Sequence, residues 1–228
     1  MWYIDYSYIV FVLPAILLAM WAQMKVNSTF KKYSNVFSAR GITGADVAQR
    51  LLGAYGIHNV SVERVAGNLT DHFDPRTNVI RLSDSVYGSN SVAAIGVAAH
   101  ETGHAIQHHL GYKPIKLRNA FVPITNIGSH LAIPLVILGL ILSFPGLAYF
   151  GIILFSAVVL FQLITLPVEF DASHRAIKVL DEQGILENEE LKGARKVLSA
   201  AAMTYVAAAA VAIGNLLRLL SIVGNRRD

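Results

Sequence analysis

The stretch Val97-Ala98-Ala99-His100-Glu101-Thr102-Gly103-His104-Ala105-Ile106-Gln107 decides how the rest of this chain reads. It lies within an apolar run of helical character. On an α-helix His100 and His104 stand one turn apart on one face, so their imidazoles can converge on one metal ion, with zinc the default candidate. Glu101 projects about 100° around the same helix, placed to take a proton from water at the metal rather than to act as a third ligand. This is the H-E-x-x-H spacing of zinc peptidases. With 8 His and seven Glu in the chain, a random sequence would contain it about once in a hundred. A helix this apolar also has no structural use for two spare imidazoles and a carboxylate.

Composition sets the surroundings. Of 228 residues, 54% are hydrophobic and 15% charged, with a mean hydropathy of +0.49. Soluble domains average about 25% charged residues, so much of this chain is matched to lipid. The absence of cysteine removes disulfides and thiolate zinc ligands, leaves His and carboxylate as the ligand types, and fits a reducing compartment. The net charge is +4, but the basic residues cluster at the ends of apolar segments, which points to membrane anchoring and away from nucleic acid. No phosphate-cradling G-x-x-x-x-G-K-[ST] loop is present, so no nucleotide is expected.

Residues 6–24 carry no charge. As a helix they span about 28 Å, close to the hydrocarbon thickness of a bilayer, so residues 1–25 read as a transmembrane anchor. Asp5 precedes the run while Lys25, Lys31 and Lys32 follow it, the reverse of a cleaved signal peptide. That bias puts the N-terminus outside and the following lobe in the cytoplasm. Residues 26–118 read as a small α+β lobe. Thr43 caps a helix with Val47, Leu51, Leu52 and Tyr55 on its apolar face, ending near Gly56. Residues 60–65 and 77–82 read as the strands of a β-hairpin around a turn-rich segment, 67–75, and the second strand is a candidate to pair with an extended substrate. Ser89, Asn90 and Ser91 offer N-caps for a helix over 92–110, closed by Gly111, with the metal motif inside it.

Between Arg118 and Glu169 lie fifty residues without a formal charge, interrupted by Ser143-Phe144-Pro145-Gly146. Residues 119–167 therefore read as a transmembrane hairpin, with helices over 120–142 and 147–166, that returns the chain to the side it left. Residues 168–196 follow as a polar helix over 168–180, the acidic turn Asp181-Glu182-Gln183-Gly184 and the start of a long helix. Residues 197–228, Ala-rich, read as a fourth transmembrane segment, against which Arg226 and Arg227 weigh slightly because they would then lie outside.

Two helical histidines leave zinc short of a protein ligand. His108 sits about 6 Å farther along the helix axis than His104 and cannot bind the same ion. The glycine-turn pattern H-E-x-x-H-x-x-G-x-x-H fails, because Gln107 and Leu110 stand where its Gly and last His would be. Glu169 and His174 remain, with Asp171 behind them. Glu169 leads, since it follows the hairpin near the start of a helix able to pack beside the first. Donors for an oxyanion could come from His72, Tyr87 or Tyr205.

Three segments carry a resemblance: Gly67-Asn68-Leu69-Thr70-Asp71-His72-Phe73-Asp74-Pro75-Arg76, the helix from Ser91 to Gln107, and Leu166-Pro167-Val168-Glu169-Phe170-Asp171-Ala172-Ser173. Together with the N-terminal anchor, they make nearly the whole chain resemble the YugP-type neutral zinc metallopeptidases of bacterial membranes. The resemblance implies a membrane-bound zinc protease whose motifs fall on His100, Glu101, His104 and, by position, Glu169. More distantly, the chain is similar to the membrane gluzincins that include the heat-shock membrane proteases and prenyl-protein proteases. Those carry an Asp four residues beyond the ligand Glu, where this chain has Ser173, so outer support of the zinc is expected from Asp171 or another carboxylate.

The expectation is thus a mainly α integral membrane protein of the bacterial cell membrane. A zincin-like α+β metalloprotease lobe with a small β-hairpin is packed on three to four transmembrane helices. It binds one Zn2+ per chain and cuts protein or peptide substrates at the bilayer on the cytoplasmic side. A catalytically silent scaffold or assembly factor with a structural zinc would have no use for Glu101. A zinc transporter would want ionisable residues in its spans, which are nearly bare apart from His130 and Arg218.

Overall fold

The computed structural model describes residues 6–224, so Asp5, Arg226 and Arg227 lie outside the described residues. The fold is mainly helical. Among the described residues four helices are long and apolar enough to cross a membrane: α1 (Tyr8–Tyr33, π-helical over Tyr8–Val12), α5 (Lys113–Ile141), α6 (Pro145–Glu182) and α7 (Asn188–Gly224). Between α1 and α5 come α2 (Gly44–Ala54), β1 (Ser61–Val65), β2 (His72–Asp74), β3 (Val79–Ser83), α3 (Asp84–Tyr87) and α4 (Val92–His109). The chain forms two compact units. One comprises residues up to Gln23, Lys116–Pro167 and Met203 onward; the other comprises Met24–Ile115 and Val168–Ala202.

In the first unit, small residues let helices approach to backbone contact, as expected where side-chain packing rather than water drives association. A Cβ on Gly128 would lie 2.8 Å from the Leu154 carbonyl, and one on Gly151 2.6 Å from that of Ala132. Gly214 of α7 meets the Phe11 carbonyl in the π-helical turn of α1. The turn between α5 and α6 falls where the sequence is interrupted: Ser143 takes a positive φ of 52° and Pro145, already lacking an N–H, opens α6.

The second unit is built around α4, which is buried over nearly its whole length. Ser91 caps it by accepting from the Ala94 amide, and Gly111 just beyond it has a φ of +65°. On one side Val92, Ile95 and Ala99 pack with α2, α6 and α7 through Val47, Leu51, Ala176, Leu180, Ala194 and Leu198. On the other, Ala94, Ala98, Ala105 and Ile106 meet Leu52, Ile80, Leu82 and Val86. Thr43 caps α2 in a reciprocal box with Asp46, worth about 1 kcal/mol.

Several expectations are corrected by the structure. The two anticipated strands do not form a hairpin: β1 pairs β3 in parallel, and β2, from the segment read as turns, pairs β3 antiparallel, in the order β1-β3-β2. At three residues, β2 is too short for an alternating pattern to reveal it. Over Val79–Arg81 this strand is already paired along both edges, so its centre offers no free edge to a substrate strand. The polar helix expected over 168–180 is not separate but continues α6 through Pro167. A proline forfeits one helix hydrogen bond without ending a helix whose next turns are firmly packed, and Val168, Ala172 and Ala176 are all buried. Likewise α1 runs on past Met24 to Tyr33, and α5 starts at Lys113 rather than near Ala120.

Candidate metal centre

α4 and α6 lie side by side at Gly103. A Cβ there would sit 2.7 Å from the Ala172 carbonyl oxygen, so a side chain at this position would force the helices apart. The close approach brings the turn holding Glu169, Ala172 and Ser173 against the turn holding His100 and His104. Glu169 Oε2 lies 3.3 Å from His100 Nε2 and 3.5 Å from His104 Nε2. The three donor atoms all fall within 4.8 Å of one another.

The two distances from Glu169 fit a metal. Donors bound to zinc at about 2.0–2.2 Å in tetrahedral directions stand roughly 3.4 Å apart. Two imidazoles and one carboxylate are also a donor set that zinc accepts, with one position left for water or substrate. The Glu169 side chain is 2% exposed, and a buried carboxylate is costly unless cations or a metal surround it. Burial alone would push the His104 imidazole down, but the Glu169 carboxylate, with Glu101 and Gln107, holds it above its ordinary value.

Both histidines are held from behind. His104 Nδ1 lies 3.0 Å from Gln107 Oε1, and His100 Nδ1 lies 3.1 Å from Ser173 Oγ. Ser173, four residues beyond Glu169, thus meets a histidine with its hydroxyl, where a carboxylate had been expected to give support. Asp171 touches neither histidine; it accepts from Gln107 Nε2 at 2.8 Å and from Arg175 Nε at 2.6 Å. Glu101, also buried, is not among the three converging donors. Its Oε2 accepts from the Phe73 amide at 3.0 Å, which ties the carboxylate to β2.

Other nominated residues fall elsewhere. His174 is exposed, so of the candidate third ligands only Glu169 reaches the two histidines. His72 is exposed and its Nδ1 pairs with the Thr70 carbonyl at 2.9 Å, a local loop contact. Tyr87 packs at the edge of the cluster around Leu82 and Val86. Tyr205 lies in α7 within the other unit, half-buried. His108 sets its ring at a tilt against Phe73 with centroids 5.8 Å apart. Gln107, Ser173 and the Phe73 amide were not anticipated. The one available signal was the i, i+3 spacing of Gln107 from His104 on a buried face.

The family model described as "Putative neutral zinc metallopeptidase" matches residues 8–224. A Bacillus subtilis (strain 168) protein described as "Putative membrane protease YugP" is 49% identical over 221 residues, covering 97% of this chain and 98% of that one. No solved structure matches the chain.

Proposed function

The chain belongs to the neutral zinc metallopeptidase family, and from that premise we propose that it is a membrane-bound, zinc-dependent endopeptidase with a zincin-like site. His100, His104 and Glu169 would hold the zinc; the carrying observation is the convergence of their donors at distances suited to one tetrahedral ion. When bound, zinc polarises the scissile carbonyl and makes water acidic enough to be deprotonated near neutral pH. Glu101 takes the proton from the attacking water and returns it to the leaving amine. The Phe73 amide holds the Glu101 carboxylate in one orientation between those two transfers.

Substrates would be membrane proteins or chains presented at the bilayer surface. Glu169 stands two residues after Pro167, which closes a long uncharged stretch, so its carboxylate lies only about 3 to 5 Å of helix beyond the last apolar turn. Metal analysis with an assay on a membrane-anchored substrate tests the reading. The purified chain should carry about one zinc, and His100→Ala should lose both metal and cleavage. A wild-type chain that binds no zinc overturns it.

The charge bias around α1 supports a cytoplasmic position for residues 26–118, with Lys25, Lys31 and Lys32 following the first apolar segment. Single cysteines placed at Lys32 and Lys113 in this cysteine-free chain should resist a membrane-impermeant thiol reagent in intact cells and react after lysis. Labelling from outside would reverse the topology.

A further inference from the structure

Gln107 is completely buried and has polar neighbours on three sides. Its Nε2 lies 2.8 Å from the Val168 carbonyl oxygen and 2.8 Å from Asp171 Oδ2. The first can only accept, and the second belongs to a carboxylate already paired with Arg175, whose guanidinium lies 5.7 Å from the Tyr112 ring centroid. Both amide protons are therefore engaged on α6. Flipping the amide would set its oxygen against two oxygens, so Oε1 is the atom that faces His104 Nδ1 at 3.0 Å. An amide oxygen can only accept, and so Nδ1 carries the proton and Nε2 turns its lone pair toward Glu169 Oε2. His100 has no such constraint, because the Ser173 hydroxyl against its Nδ1 can donate or accept. Val168 directly precedes Glu169, so the amide that sets the histidine also pins the backbone carrying the carboxylate.

We infer that Gln107 is a positioning residue: the direction of its amide fixes the tautomer of His104 and locks α6 beside it, so amide polarity, and not side-chain size, closes the metal site. The inference rests on the reading of His104 and Glu169 as metal ligands. A residue needed only as an acceptor for His104 could be replaced by a carboxylate without loss, whereas one that must also donate twice could not.

The test uses the full-length chain in detergent, with zinc affinity read by competition with a chromophoric chelator and ligand geometry by the visible spectrum of the cobalt-substituted protein. Gln107→Glu should weaken zinc binding about 10-fold to 100-fold and shift the cobalt bands. Its carboxylate would face the Val168 carbonyl and Asp171 with no proton to give. Adding Asp171→Asn supplies an N–H for that carboxylate and should recover most of the lost affinity and the wild-type bands. Gln107→Met, which fills the space without burying a charge, should show the same loss and gain nothing from Asp171→Asn. Wild-type affinity in Gln107→Glu or Gln107→Met overturns the inference, as does failure of Asp171→Asn to rescue the carboxylate variant. A wild-type chain that binds neither zinc nor cobalt overturns the metal reading and this inference with it, a result seen before any variant is made.

Discussion

Glu101→Gln should abolish peptide hydrolysis while the zinc stays bound. Glu101 is not one of the three converging donors, so its exchange leaves the ligand set of His100, His104 and Glu169 intact. The carboxamide is nearly the same size and keeps an oxygen to accept from the Phe73 amide, now 3.0 Å from the carboxylate, so the helix and its contact with β2 should persist. What disappears is the capacity to take a proton. Loss of a positioned general base lowers rates about 10²-fold to 10⁴-fold. Metal analysis beside cleavage of a membrane-anchored reporter separates the effects. Full activity with zinc in place would remove Glu101 from the mechanism.

Glu169→Ala should have the largest effect on the metal. Its carboxylate is the only anion among the three donors and sits within 3.5 Å of both imidazoles, almost completely buried. Removing it leaves two neutral ligands and an apolar gap, a site that zinc has little reason to prefer over water. Zinc affinity should fall well beyond the ~10-fold to 100-fold typical of changes in the outer support. Asp171→Ala should stay within that range, because Asp171 reaches His104 only through Gln107. His174→Ala, altering an exposed side chain, should leave affinity unchanged. Chelator competition on the three variants checks this order, and wild-type affinity in Glu169→Ala would remove Glu169 from the ligand set.

The legible parts of this chain are those written locally. The spacing of His100, Glu101 and His104, the Thr43 cap and an N-cap among Ser89, Asn90 and Ser91 all depend on residues within one or two helical turns; the structure keeps Thr43, selects Ser91 and adds the reciprocal contact of Asp46. Glu169 could be ranked first because an uncharged hairpin constrains where the following turn can go. The sheet was not legible in the same way. β1 and β3 each read as a strand, but they pair in parallel, and the antiparallel partner of β3 is a three-residue β2 that begins with His72, in a stretch whose Asp and Pro signal only a turn. Gln107 and Ser173 were hidden for another reason. A neutral amide and a hydroxyl on a helix have no assigned task until a second helix supplies their partners, and the absence of a side chain at Gly103 is what admits that helix. The same uncertainty made His72 attractive; in the folded chain it serves the Thr70 carbonyl.

Because the donors come from α4 and α6, the order in which a ribosome makes the chain matters. His100 and His104 emerge while the carboxylate that would join them is still some sixty codons away. Even after Glu169 has been added, the packing that encloses both helices waits for Ala194 and Leu198 of the last one. Throughout translation and membrane insertion the nascent chain therefore displays two imidazoles without the anion that completes the trio or the walls that enclose it. Any reactivity of the site therefore waits for the residues of α7 that pack against both helices.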